Sequence, residues 1–149
     1  MGDFDLKGNY KKRLEDKIIA ADLAEKIKFV GPTTNMPVVY SICDLVISSS
    51  IKPEAFGRIA IEAGAMGKII VATNIGGSKE TVINNKTGFL IEPNNAEQLA
   101  QKINQLLNIK DDLRQKICHK ARENIVKNFS NDLMLQKTLK IYQELMENQ

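Results

Sequence analysis

Two short apolar runs, with a glycine turn and a helical segment between them, constrain this chain most. Leu45-Val46-Ile47 is continuously apolar and runs into Ser48-Ser49-Ser50, and Ile69-Ile70-Val71-Ala72 follows after Gly67. Runs this short and this uniformly apolar belong to strands buried on both faces of a parallel sheet. Parallel neighbours need a crossover, and the segment Phe56–Ala65 between them has helical character, with Gly67 placed to end it as a C′ glycine. Strand, loop, helix, strand is therefore the organising unit.

The flanking segments repeat the alternation. Tyr10, Leu14, Ile18 and Ala21 share one helical face between about Asn9 and Ala24. Ile27-Lys28-Phe29-Val30 alternates and is closed by Gly31-Pro32, which reads as a strand and a turn. Asn35 and Pro37 open a short helix whose apolar face is expected to be Val38, Val39 and Ile42. After Ala72 come a loop at Ile75-Gly76-Gly77, a short helix Ser78–Ile83, a turn cluster at 84–88 and a last strand Phe89-Leu90-Ile91. Asn95 and Gln98 have capping-box spacing ahead of Leu99, Ile103 and Leu106. A second late helix starts at Asp111 or Asp112, with Leu113, Ile117, Ala121 and Ile125 spaced by fours. A third is capped by Ser130, with Leu135, Leu139, Tyr142 and Met146 on one side. The fold class is α/β: a Rossmann-like parallel sheet flanked by helices, with a helical C-terminus.

In open sheets of this kind ligands bind at the carboxyl ends of the strands. The loops 31–33, 48–56 and 73–78 should then lie on one rim, carrying Glu54, Glu62 and the glycine turns Gly57 and Gly76-Gly77. The chemistry of that rim suits a sugar nucleotide. Backbone N–H groups at a helix start with a small residue, Phe56-Gly57-Arg58, suit a diphosphate, and Arg58 adds a charge. Carboxylates suit pairs of hydroxyls. Glu62, about one and a half turns into the helix, can reach a ribose, while Glu54 precedes the helix and can face the sugar. Gly76-Gly77 can supply further backbone donors.

Composition excludes several other classes. With 149 residues, 43% apolar, the chain can bury one core. Its 21 basic and 18 acidic residues, net +3, are too evenly balanced to imply nucleic acid. No apolar run approaches the roughly 20 residues of a membrane span. The acidic, polar start Met1–Asp5 is unlike a signal peptide, so the expected location is cytoplasmic. Cys43 and Cys118 lack metal-ligand spacing and read as reduced thiols, and the single histidine, His119, as a solvated helix residue. A nicotinamide-binding Rossmann reading is poor, because no Gly-x-Gly-x-x-Gly follows a first strand.

From Gly31 to about Leu107 the sequence closely resembles the C-terminal, donor-binding domain of the retaining glycosyltransferases of family 4 (group 1 glycosyltransferases), which adopt the GT-B fold. The resemblance rests on Glu54-Ala55-Phe56-Gly57 through Glu62-Ala63, on Gly76-Gly77-Ser78-Lys79-Glu80, and on Thr87-Gly88-Phe89-Leu90-Ile91-Glu92-Pro93. It implies that Glu54 contacts the donor sugar at the reacting centre and that Glu62 holds the ribose hydroxyls. It implies that Phe56, Gly57 and Arg58 face the diphosphate, with Gly76 and Gly77 close by, and that Val30 and Gly31 line the base pocket. It further implies transfer of a hexose, with retention, from a UDP- or GDP-type sugar to a glycan or lipid-linked acceptor, in capsular or cell-envelope polysaccharide synthesis. Neither a metal nor any other cofactor is expected.

Against the family pattern, Met1-Gly2-Asp3 resembles the end of the second strand of such a domain. A single domain over 1–149 is expected, lacking its first strands and the acceptor domain. In the doubly wound order 3-2-1-4-5-6, strands 1 and 2 sit between 3 and 4. Ile27–Val30 and Leu45–Ile47 should then show an exposed edge, pair directly, or be completed by another chain. The chain alone is expected to be inactive: a binding module that works with a separate acceptor-domain chain or by self-association, in the cytoplasm or peripherally at the inner membrane face.

Overall fold

The computed structural model describes residues 9–147, so the reading of Met1-Gly2-Asp3 lies outside the described residues. The chain clusters into two compact units, residues 1–34 and residues 35–149.

The described part of the first unit contains α1 (Asn9–Ala20) and the segment after it. The expected strand Ile27–Val30 does not form: these residues have no ladder partner, Ile27 and Phe29 are each 42% exposed, and Val30 is 79% exposed. Alternation alone cannot make a strand, since the backbone groups of an extended segment need a neighbour to bond. Phe29 instead receives the ammonium of Lys11, 5.8 Å above its ring.

The second unit holds the sheet. Its elements run α2 (Met36–Ser41), β1 (Leu45–Ser48), α3 (Arg58–Ala65), β2 (Ile69–Thr73), α4 (Ser78–Thr81), β3 (Phe89–Ile91), α5 (Ala96–Leu107), α6 (Asp111–Asn128) and α7 (Asn131–Glu147). The strands are parallel in the order β1-β2-β3, with Leu45 opposite Ile69 and Val71 opposite Phe89. β2 is central, and all five of its residues are buried. Of the outcomes expected for the gap in the strand order, direct pairing is not found: among the described residues β1 pairs with β2 alone, and Ile47 is exposed.

Alternate side chains of β2 enter two cores. Ile70 and Ala72 pack with Tyr40, Val46, Ala60, Ala63 and Val82. Ile69 and Val71 pack with Phe89, Ile91, Leu106 and Ile117. α2 and α3 thus cover one face, and α5 and the first half of α6 the other. Gly64 on α3 makes room for α6: a Cβ there would sit 2.7 Å from Ile125 Cγ1.

The expected apolar face of α2 is corrected. Val38 and Ile42 are exposed, Val39 is half-buried, and Tyr40 is the residue that enters the core. Two of the expected caps form, the amide of Gln98 donating to Asn95 Oδ1 at 2.9 Å and that of Leu133 to Ser130 Oγ at 3.3 Å, whereas Asn35 stands at the start of α2 without a side-chain cap bond. α7 forms as expected but buries none of its side chains among the described residues.

Candidate functional site

The loops leaving β1 and β2 meet at the carboxyl end of the sheet. Thr73 Oγ1, at the end of β2, donates to the carbonyl of Ser50 at 2.7 Å. Ser50 Oγ in turn donates to the carboxylate of Glu54. The amide of Gly77 donates to the carbonyl of Glu54 at 2.9 Å. Glu54 is therefore fixed through both its backbone and its side chain, and it is half-buried.

The glycines make this approach possible. A Cβ on Gly76 would lie 2.4 Å from the Glu54 oxygen, and one on Gly77 2.4 Å from the carbonyl carbon of Phe56. Gly76 also has φ of +52°, a conformation that side chains disfavour. The expectation that this turn offers free backbone donors is corrected at Gly77, whose N–H is committed to Glu54.

Gly57 (φ +65°) turns the chain into α3, which begins at Arg58 rather than Phe56. The first N–H groups of a helix have no intrahelical partner, so this end of α3 suits an anion. Phe56 is exposed, and its ring meets Phe129 edge-on at 6.4 Å.

Glu62 lies on α3, one turn beyond Arg58. Its two oxygens have different partners: Tyr40 Oη donates to Oε2 at 2.9 Å, and Arg58 Nη2 donates to Oε1 at 3.1 Å. The Arg58 side chain is 83% exposed and that of Glu62 33%. Tyr40 is buried, and burial, with the hydrogen bond to Glu62 next, pushes its pKa well above the ordinary 10.0. Sequence reasoning missed Tyr40. It lies 22 residues from Glu62, and the signal available was that a buried tyrosine hydroxyl requires a partner.

Glu54, Phe56, Gly57, Arg58, Glu62, Gly76 and Gly77 all fall within the second unit, on the two loops and the start of α3. Val30 and Gly31 belong to the first unit. Among the described residues no three His, Cys, Asp or Glu side chains gather in a metal-binding group, and no helix is long and apolar enough to cross a membrane.

Residues 1–125 match the family described as glycosyl transferases group 1. A glycosyltransferase crystal structure from Rickettsia africae ESF-5 superposes with a TM-score of 0.94 at 47% identity, covering 99% of this chain and 39% of that one. Anabaena Alr3699/HepE in complex with UDP-glucose superposes with a TM-score of 0.88 at 30% identity, covering 95% and 38%. The capsular polysaccharide biosynthesis glycosyltransferase CapM of Staphylococcus aureus is 32% identical over 94 residues, 63% of this chain and 24% of CapM. The chain thus spans between a quarter and two fifths of these relatives. The α/β fold is that of the GT-B glycosyltransferases, and the chain belongs to the group 1 glycosyltransferases.

Proposed function

We propose that this chain is the donor-binding part of a retaining, family 4 glycosyltransferase. It transfers a hexose from a UDP- or GDP-type nucleotide sugar to a glycan or lipid-linked acceptor in capsular or cell-envelope polysaccharide synthesis. In this reading Glu62 accepts from the ribose hydroxyls, and Glu54 is the catalytic residue at the donor sugar. The start of α3 at Phe56, Gly57 and Arg58 faces the diphosphate, with Gly76 and Gly77 beside it, and Val30 and Gly31 contact the base. The reading needs no metal ion or other cofactor, and it places the protein in the cytoplasm or peripherally at the inner membrane face.

The observation that carries it is the arrangement of the two carboxylates. Glu54 and Glu62 flank one helix N-terminus at the carboxyl end of a parallel sheet, where such folds take their ligands. The HepE complex with UDP-glucose supports a uridine donor, and CapM supports a capsular product. Isothermal titration of the full chain with UDP-glucose and GDP-glucose tests the reading. Micromolar to millimolar binding of one of them, lost in Glu62→Ala with the thermal melt unchanged, is the expected result. Wild-type affinity in that variant would remove Glu62 from the site.

A second reading is a nucleotide-sugar-binding module that turns over only with a separate acceptor-domain chain or in self-association. Transfer of labelled sugar to lipid or glycan acceptors by this chain alone would decide against it.

A further inference from the structure

We infer that Tyr40 is a positioning residue for nucleotide recognition: its buried hydroxyl holds the Glu62 carboxylate in the orientation that accepts a ribose diol. This rests on the assignment of Glu62 to the ribose.

Three observations carry it. Tyr40 is 4% exposed and packed among Val46, Ala60, Ala63, Ile70 and Ala72, so its hydroxyl is held at a fixed point. That hydroxyl donates at 2.9 Å to Glu62 Oε2, across 22 residues of sequence and between two helices. The other anchor, Arg58, is on the same helix as Glu62 and its side chain is 83% exposed, so its bond does not join the carboxylate to another element of the fold. Among the described residues it is Tyr40 that ties the Glu62 carboxylate to the core.

The chemistry of the pair suits this role. An ionised carboxylate accepts only, at about four lone-pair sites. Tyr40 and Arg58 fill one site on each oxygen, and one on each is left for the two hydroxyls of a vicinal diol. Without Tyr40 the side chain of Glu62 would regain its rotamers and would have to be ordered when the ligand arrives. A buried tyrosine could satisfy its hydroxyl on any backbone carbonyl. Here the partner is a charged side chain at the rim, which is what a positioning role requires.

The test is a comparison of two ligands on the full chain. UDP and 2′,3′-dideoxy-UDP differ only in the diol. Wild-type protein should prefer UDP, and Glu62→Ala should bind the two equally. Tyr40→Phe, which keeps the ring, should weaken UDP roughly tenfold and leave dideoxy-UDP unchanged. A merely structural role would weaken both ligands alike, and that result, or undiminished discrimination in Tyr40→Phe, overturns the inference while leaving Glu62 on the ribose. Equal binding of the two ligands by wild-type protein removes the ribose assignment itself, and the inference with it. A measurement needing no substitution runs beside this one. With ring-labelled tyrosine, UDP should shift the Tyr40 resonance and dideoxy-UDP should not; an unmoved resonance counts against Tyr40.

Discussion

Between Glu54–Phe56 and Gly76–Gly77, backbone lies directly on backbone; around Glu62, side chain meets side chain. Both regions belong to one rim, yet they are held by different physics. In the glycine seam there is no room for one added carbon, and Glu54 takes its place because two loops leaving neighbouring strands cannot otherwise pass. In the Glu62 cluster, hydrogen bonds of ordinary length join a buried phenol, a half-buried carboxylate and an exposed guanidinium. The seam is part of the fold, whereas the cluster is set upon it. Substitutions in the seam should therefore damage stability and site together, and those in the cluster should separate the two.

The largest effect is expected at Gly76. Alanine there must hold φ near +52° and place Cβ against the Glu54 backbone. The left-handed conformation costs about 1–2 kcal/mol and the forced contact about 1–3 kcal/mol more. For a domain of this size a loss of about 3 kcal/mol lowers Tm by roughly 6 to 12 °C. Gly31→Ala is the control, since nothing lies within 4 Å of a Cβ there, and its Tm should stay within about 1 °C of wild type. Equal melting curves for Gly76→Ala and wild type would mean that the seam is loose and that the contrast with the cluster does not exist.

That contrast also explains which parts of the fold and site were legible in sequence. The strand-loop-helix-strand unit around Glu54 and Glu62 was readable because its signals are local: continuous apolar runs at 45–47 and 69–72, and a glycine closing α3. The seam was readable only as two glycines, since that they press against Glu54 and Phe56 depends on chain more than one loop and helix away. Tyr40 was readable only as a hydroxyl that would need a partner if buried. In a six-residue helix the periodicity is too short to tell which of Val38, Val39, Tyr40 and Ile42 turns inward, and apolar character alone points to the aliphatics. Ile27–Val30 had the pattern of a strand but lacks the neighbour that would make it one, because pairing is a tertiary property. The stripe on α7 is legible as helical, but periodicity does not decide its exposure: Leu135, Leu139, Tyr142 and Met146 follow a helical repeat, as do the buried Ile117, Ala121 and Ile125 of α6, and only the resemblance, in which the final helix packs toward an acceptor domain, points to an exposed face.

The next effect in size distinguishes the buried side of the cluster from its exposed side through pH. Tyr40 is held protonated by burial first and by its hydrogen bond to Glu62 second. Glu62 and Cys43 also raise its pKa, and Arg58 opposes them. A folded pKa above the unfolded value of 10.0 means that the unfolded chain releases this proton first. The stability it contributes is complete below about pH 10 and declines as pH rises from there towards the folded pKa. The slope for one proton is about 1.4 kcal/mol per pH unit. Urea denaturation from pH 8 to 11 should show wild type losing stability above pH 10 faster than Tyr40→Phe, which has no proton to release. Parallel curves would mean that the hydroxyl is solvated and not held by the core.

The smallest effect is expected at Arg58, and its smallness sharpens the comparison. Arg58 and Tyr40 donate to the same carboxylate at similar distances, 3.1 and 2.9 Å, so a count of contacts would rank them equal. Exposure ranks them differently. The guanidinium is 83% exposed and its ion pair spans one helical turn, a type usually contributing about 0.3–0.5 kcal/mol and screened by salt. Arg58→Ala should lower Tm by no more than about 2 °C in 50 mM salt, and the difference should vanish in 500 mM salt. Nucleotide binding is the independent axis. If Arg58 meets a diphosphate, the same variant loses affinity for UDP and dideoxy-UDP alike, because both carry the two phosphates, whereas loss of Tyr40 is felt only by the ligand that has a diol. A stability loss from Arg58→Ala as large as that from Tyr40→Phe, and undiminished by salt, would show that Glu62 is anchored from its own helix rather than from the core.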